Sequence, residues 1–186
     1  INLIQDPDRR LAEFGDTDVL YAVRFSKKDF AAAKQLKWLH LTSAGATHVL
    51  FPEIIESDIL VTNSRGLYGI PIAEHVLGVM LMFARRFHEA YRFQSEGKWA
   101  RQEMLRRFPL LAELHSRTVG IIGLGSIGLA VAERCKALGM RVVAIKRRGG
   151  DKPTCVDELF GPDDLAQLLQ QSDYVVIAAP LTAETK

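Results

Sequence analysis

The stretch Thr118-Val119-Gly120-Ile121-Ile122-Gly123-Leu124-Gly125-Ser126-Ile127-Gly128 decides how this chain is read. An apolar, β-branched run leads straight into G-x-G-x-x-G, and a helical pattern follows from Leu129 to Leu138. In that setting Gly123 permits the tight turn out of the strand, and Gly125 lets a pyrophosphate approach the backbone. Gly128 lets the new helix pack closely on the sheet. The amides that open such a helix point at the phosphates, and its dipole favours their charge. A glycine-rich turn alone also serves ordinary loops. Here Gly139 follows the helix at a plausible C′ position, and a second β-branched run spans Arg141 to Ile145. The βαβ context predicts dinucleotide binding; a plain βαβ unit with glycines at its turn is the structural alternative.

Beyond Ile145 the chain reads Lys146-Arg147-Arg148-Gly149-Gly150. NAD-selective sites place Asp or Glu here to accept from the ribose 2′-hydroxyl. The cations found instead attract a 2′-phosphate by charge-assisted hydrogen bonds, so NADP is favoured and NAD remains possible. Asp151, the nearest acid, lies past two glycines; a solvated turn is the plainer reading of the three cations. Val156 to Phe160 adds a short strand or turn. Pro162, Asp163 and Asp164 suit a first helical turn, with Leu165, Leu168 and Leu169 as its buried face. Tyr174 to Ala178 reads as a buried parallel strand running into Ala179-Pro180-Leu181-Thr182-Ala183-Glu184-Thr185.

Upstream lies a second α/β unit. Val19 to Val23 suits a strand, and Ser26 opens a helix with Asp29 as capping-box partner and Phe30, Ala33 and Leu36 at helical spacing. Leu39 and Leu41 alternate with polar neighbours in a second strand. A short helix is expected over 47–55 and a third strand over 59–62. Loops at 43–46 and 63–66 occupy carboxyl ends of strands, where open α/β sheets bind ligands. The first could offer backbone amides to a carboxylate, or be only a glycine-containing turn. From Pro71 one long helix is expected to Gln94, with Ile72, Val76, Val79, Met80, Phe83 and Phe87 as its apolar stripe. Glu74 and His75 could pair catalytically, but a buried, hydrogen-bonded histidine is the expected role. The arginine-rich segment 97–115 reads as a surface crossover with apolar anchors, because Glu103 and Glu113 interrupt it and no recognition helix is present.

The chain has 186 residues, a formal net charge of +2, 48% hydrophobic and 25% charged residues, which suits a globular α/β protein. Neither nucleic acid nor a membrane is expected as partner. Cys135 and Cys155 lack metal-ligand spacing, so no metal is expected and two idle thiols suit a reducing cytoplasm. With Ile1 first and a strand just before Lys186, the sequence reads as a fragment: one βαβαβ half fits where a dinucleotide domain has two.

Taken in order, SAG at 43–45, VTN at 61–63, IAEHVLGVML at 72–81, GLGSIG at 123–128 and PLTAET at 180–185 resemble the D-isomer-specific 2-hydroxyacid dehydrogenases. The resemblance runs from about Leu36 to Lys186. It implies a flavodoxin-like substrate domain, here incomplete and spanning 1–94, and the first half of a Rossmann dinucleotide domain over 95–186. It matches Ala44 and Gly45 to amides that hold the substrate carboxylate. Ser126 and Ile127 match residues over the pyrophosphate, Lys146 matches the ribose-reading position, and Ala179, Pro180 and Thr185 match the loop beside the cofactor. The long helix matches an interdomain, dimer-forming region, which implies a homodimer. The family's catalytic arginine, glutamate and histidine follow the PLTxET segment, so none is expected in residues 1–186, which should be inactive alone. The implied activity is glyoxylate- or hydroxypyruvate-type reduction of a small 2-keto acid to a D-2-hydroxy acid. A non-catalytic, dinucleotide-sensing corepressor on the same fold is the alternative. Phosphoglycerate is disfavoured as substrate, since only Arg65 is expected to add positive charge near 43–46.

Overall fold

The computed structural model describes residues 11–147, 150–182 and 185. By packing, the chain forms two compact units, Ile1–Leu67 and Tyr68–Lys186.

In the first unit, β1 (Val19–Ala22), β2 (Trp38–Leu41) and β3 (Leu60–Asn63) form a parallel sheet in that order, with Leu41 opposite Asn63 at the last rung. Parallel neighbours require crossovers, and α1 (Lys27–Ala32) and α2 (Pro52–Ile55) lie in them. The capping box at α1 is present: Ser26 N–H donates to Asp29 Oδ2 at 2.7 Å and Asp29 N–H donates back to Ser26 Oγ. The helix expected over 47–55 is shorter, beginning only at Pro52. Proline disfavours helical backbone in the residue before it, and Phe51 is extended at φ −85°, ψ 159°. Phe14, Phe25, Leu36, Leu39, Leu41, Val49 and Ile54 make the core.

The second unit begins with α3 (Gly69–Ala84) and α4 (Phe87–Ser95), where one continuous helix was expected. The break falls at Arg85–Arg86. Arg86 adopts left-handed backbone, φ 56°, and lays its guanidinium 4.6 Å from the Phe108 ring. The buried face of α3 is Ala73, Met80 and Ala84, while Ile72, Phe83 and Phe87 of the expected stripe are exposed. Ala73, Met80 and Ala84 enter the second unit's core, so by packing this helix groups with the residues that follow it. Segment 97–115 contains α5 (Arg101–Arg107). Of its apolar residues Leu114 is buried, whereas Trp99 and Leu110 are each 91% exposed.

Then follow β4 (Thr118–Ile122), α6 (Ser126–Ala137), β5 (Arg141–Ile145), β6 (Glu158–Phe160), a 3-10 turn at Pro162–Asp164, α7 (Leu165–Gln171) and β7 (Tyr174–Ile177). The sheet is parallel in the order β6-β5-β4-β7. Val119, Ile121, Val142 and Ala144 pack with residues of α3 and α6, and Val143, Ile145 and Phe160 pack with Leu168 of α7. Both faces are therefore covered, as a parallel sheet needs. Leu168 is fully buried, but Leu165 and Leu169, expected beside it, are exposed. The strand expected to be buried, β7, is an edge strand among the described residues, and Ile177 is 76% exposed. Helix α6 ends in a Schellman motif: Gly139, at φ 74°, donates to Lys136 O and Met140 N–H donates to Cys135 O at 3.1 Å. Cys135 and Cys155 are free, and burial pushes the Cys135 thiol up to about 11, which keeps it protonated and unreactive near neutral pH.

Carboxylates register the strand starts. Asp173 accepts from Thr118 N–H at 2.8 Å, and Asp157 accepts from Val142 N–H at 2.8 Å while meeting Lys136 Nζ at 2.6 Å. The Lys136 ammonium, then the Val142 amide, hold the Asp157 carboxyl below its ordinary range. Its contribution is therefore complete above the ordinary carboxylate pKa and is lost as pH falls through the depressed folded value. Asp157→Ala is expected to cost about 1 kcal/mol near neutral pH. In thermal melts the gap from wild type should close in acid below the ordinary carboxylate range; a gap that persists there would contradict this role.

Candidate functional site

The strand order of the second unit's sheet reverses at β4. The chain steps outward through β5 and β6, then returns to place β7 on the other side of β4. Ligands of open α/β sheets bind beyond the strand ends at such a switch point. Gly123 leaves β4 there at φ 96°, and a Cβ on it would lie 2.6 Å from Ala179 N in the loop after β7. A Cβ on Gly128 would overlap the Gly123 carbonyl oxygen, so strand, turn and helix fit only as glycines allow. Gly125 differs. It is the extended N-cap residue of α6, and a Cβ there would meet nothing within 4 Å.

That open cradle faces a helix end with unsatisfied amides. No side chain caps α6, its first turn carries no acid, and Arg134 and Lys136 occupy its last turn. The opening amides, among them those of Ser126 and Ile127, have no intrahelical partner, and the dipole directs positive potential at them. A pyrophosphate fits this arrangement of space and donors.

Lys146 stands directly after β5. Its backbone N–H donates to Phe160 O at 3.2 Å, and its ammonium lies close to Gly150. Arg147 follows it and is exposed, while Arg148 lies outside the described residues. On the other side of β4, Ala178 N–H donates to Ile122 O at 2.8 Å, which docks the loop carrying Ala179 and Pro180. Thr185 folds that loop on itself: its hydroxyl donates to Pro180 O at 2.6 Å and accepts from Thr182 N–H at 2.8 Å. This turn-setting role of Thr185 was not foreseen from the sequence.

The loop 43–46 of the first unit is organised by its carbonyls. Ser43 O accepts from Ser64 N–H at 3.2 Å, Ala44 O from Asn63 Nδ2 at 2.7 Å, and Gly45 O from Ser43 Oγ at 2.7 Å. Among the described residues nothing accepts from Ala44 or Gly45 N–H. Beside β2, Trp38 Nε1 donates to Thr62 Oγ1, which meets His40 Nδ1 at 2.8 Å; His40 Nε2 meets Ser64 Oγ, and Ser64 donates to Leu41 O. Arg24 and His48, with Ser26, line an open hollow of about 690 Å³ near the carboxyl end of β1. Arg24 was not singled out from the sequence, although its place just past a parallel strand is a readable signal. Glu74 and His75 are both exposed, so His75 is not the buried histidine expected.

Residues 77–186 match the family described as D-isomer specific 2-hydroxyacid dehydrogenase, NAD binding domain. This chain belongs to that family. Glyoxylate reductase of Thermococcus kodakarensis is 33% identical over 182 residues, covering 95% of this chain and 54% of the relative. D-3-phosphoglycerate dehydrogenase of Archaeoglobus fulgidus is 35% identical over 156 residues, covering 83% of this chain and 28% of that protein. A D-isomer specific 2-hydroxyacid dehydrogenase family protein from Aeromonas salmonicida superposes with a TM-score of 0.83 at 28% identity, covering 98% of this chain and 56% of that one. The chain thus spans about half the length of the Thermococcus and Aeromonas proteins. Among the described residues no helix is long and apolar enough to cross a membrane.

Proposed function

We propose that the complete protein is an NAD(P)-dependent D-2-hydroxyacid dehydrogenase that reduces a small 2-keto acid of the glyoxylate or hydroxypyruvate type. The observation that carries this reading is the open Gly125 cradle at the β4–β7 switch point, beneath an uncapped helix end. In this reading residues 95–186 belong to the dinucleotide domain and 1–94 to the substrate domain. Gly123, Gly125, Ser126, Ile127 and Gly128 receive the pyrophosphate, and Ala179, Pro180 and Thr185 border the nicotinamide side. Ala44 and Gly45 offer their amides to the substrate carboxylate. The cofactor, when bound, supplies the hydride. The chain's own residues bind and orient; the acid that protonates the product oxygen lies outside residues 1–186. Free thiols at Cys135 and Cys155 support a cytoplasmic setting. The test is reduction of glyoxylate and hydroxypyruvate by the full-length protein, followed at the nicotinamide absorbance. Turnover of neither would overturn the reading.

NADP is the preferred cofactor in this reading, because Lys146, Arg147 and Arg148 stand where a ribose-binding carboxylate would repel a 2′-phosphate. Fluorescence titration should give tighter binding of NADPH than NADH, and Lys146→Asp should shrink that ratio by about 10-fold. Equal affinities in the wild type would refute the preference. The protein also acts as a homodimer in this reading. Phe87, Tyr91, Trp99 and Met104 line an apolar groove of about 1020 Å³, in which Tyr91 is 70% exposed.

A further inference from the structure

The loop 43–46 is held by three separate donors, and they differ in kind. Ser64 uses its backbone and Ser43 is part of the loop, but Asn63 reaches in from the end of β3 with a side-chain amide. In a trans peptide the carbonyl and the following N–H point in opposite directions. Fixing Ala44 O on Asn63 therefore aims Gly45 N–H away from β3. Fixing Ser43 O on Ser64 does the same for Ala44 N–H. Gly45 is exposed, a Cβ on it would meet nothing within 4 Å, and its N–H donates to no described residue. Asn63 is itself seated firmly, because it pairs with Leu41 at the last rung of the ladder and Leu41 is fully buried.

We infer that Asn63 is a positioning residue: its Nδ2–H donation to Ala44 O orients the Gly45 amide for a ligand carboxylate. The inference rests on the functional reading above. A backbone amide gives no charge-driven correction if it is misaimed, and hydrogen bonds weaken steeply as their angle falls. Holding the peptide plane in advance removes the need to order it during binding.

The experiment uses full-length protein with Asn63→Ala and the isosteric Asn63→Asp, which cannot donate to the carbonyl. Both should raise KM for glyoxylate about 10-fold and raise the inhibition constant of oxamate, a non-reacting carboxylate, by the same factor. The cofactor Kd should stay within about twofold and kcat within about threefold. A purely structural role would move cofactor affinity and kcat along with KM. Unchanged KM in both variants, or a parallel loss of cofactor binding, overturns the inference while leaving an active wild type. A wild type that reduces no 2-keto acid overturns the functional reading and this inference with it. Should neither variant fold, an oxamate titration of ¹⁵N-labelled wild type decides: the Ala44 and Gly45 amides should shift, and their silence overturns the assignment.

Discussion

Gly125→Val is expected to leave the protein folded and to weaken dinucleotide binding by on the order of 100-fold, about 3 kcal/mol. The N-cap backbone at Gly125 has φ −86° and ψ −164°, which any L-residue adopts, and a Cβ there has no protein neighbour within 4 Å. Losing glycine at an N-cap costs at most about 1 kcal/mol of stability. The methyl groups instead occupy the space through which phosphate oxygens reach the helix amides. Fluorescence titration with NADPH, set beside a thermal melt, separates the two effects. Retained affinity would mean that the pyrophosphate does not lie over Gly125.

The opposite outcome is expected two residues earlier. Gly123→Ala should destabilise the protein by about 2–5 kcal/mol, the sum of a left-handed penalty and overpacking. The residue sits at φ 96°, and the new methyl would press on Ala179 N at 2.6 Å and Ala179 Cα at 2.8 Å. These are backbone atoms that no rotamer change can move aside. For a chain of this size the melt should fall by about 5–15 °C. An unchanged midpoint would show that the turn after β4 relaxes freely. The two glycines lie in one motif, yet one serves the ligand and the other serves the fold.

The strand, turn and helix around 118–139 were legible because their information is local. β-Branched residues mark the strand, the glycine spacing marks the turn, and Gly139 marks the helix end. The place of Lys146 as the first residue past β5 was legible for the same reason. The locks on the two loops were not. Asn63 finds Ala44 across 19 residues of sequence, and nothing local to either residue announces that pair. The break at Arg86 was hidden as well, since arginine favours helix and its left-handed backbone comes with a ring at Phe108 that periodicity cannot show. The exposure of β7 misled in another way. Its apolar run is written for a strand with neighbours on both sides, and the described residues supply one.

Among the described residues β4 occupies a single side of β7, and the other side presents a row of N–H and C=O groups without a strand partner, flanked by Val175 and Ile177. Such a row is a template for further strand addition. Residues 1–186 prepared in isolation should therefore self-associate edge to edge as concentration rises, with scattering that grows on warming and is suppressed by a lysine at Ile177. Cofactor titrations of that piece belong at dilute protein, where edge-to-edge pairing is suppressed.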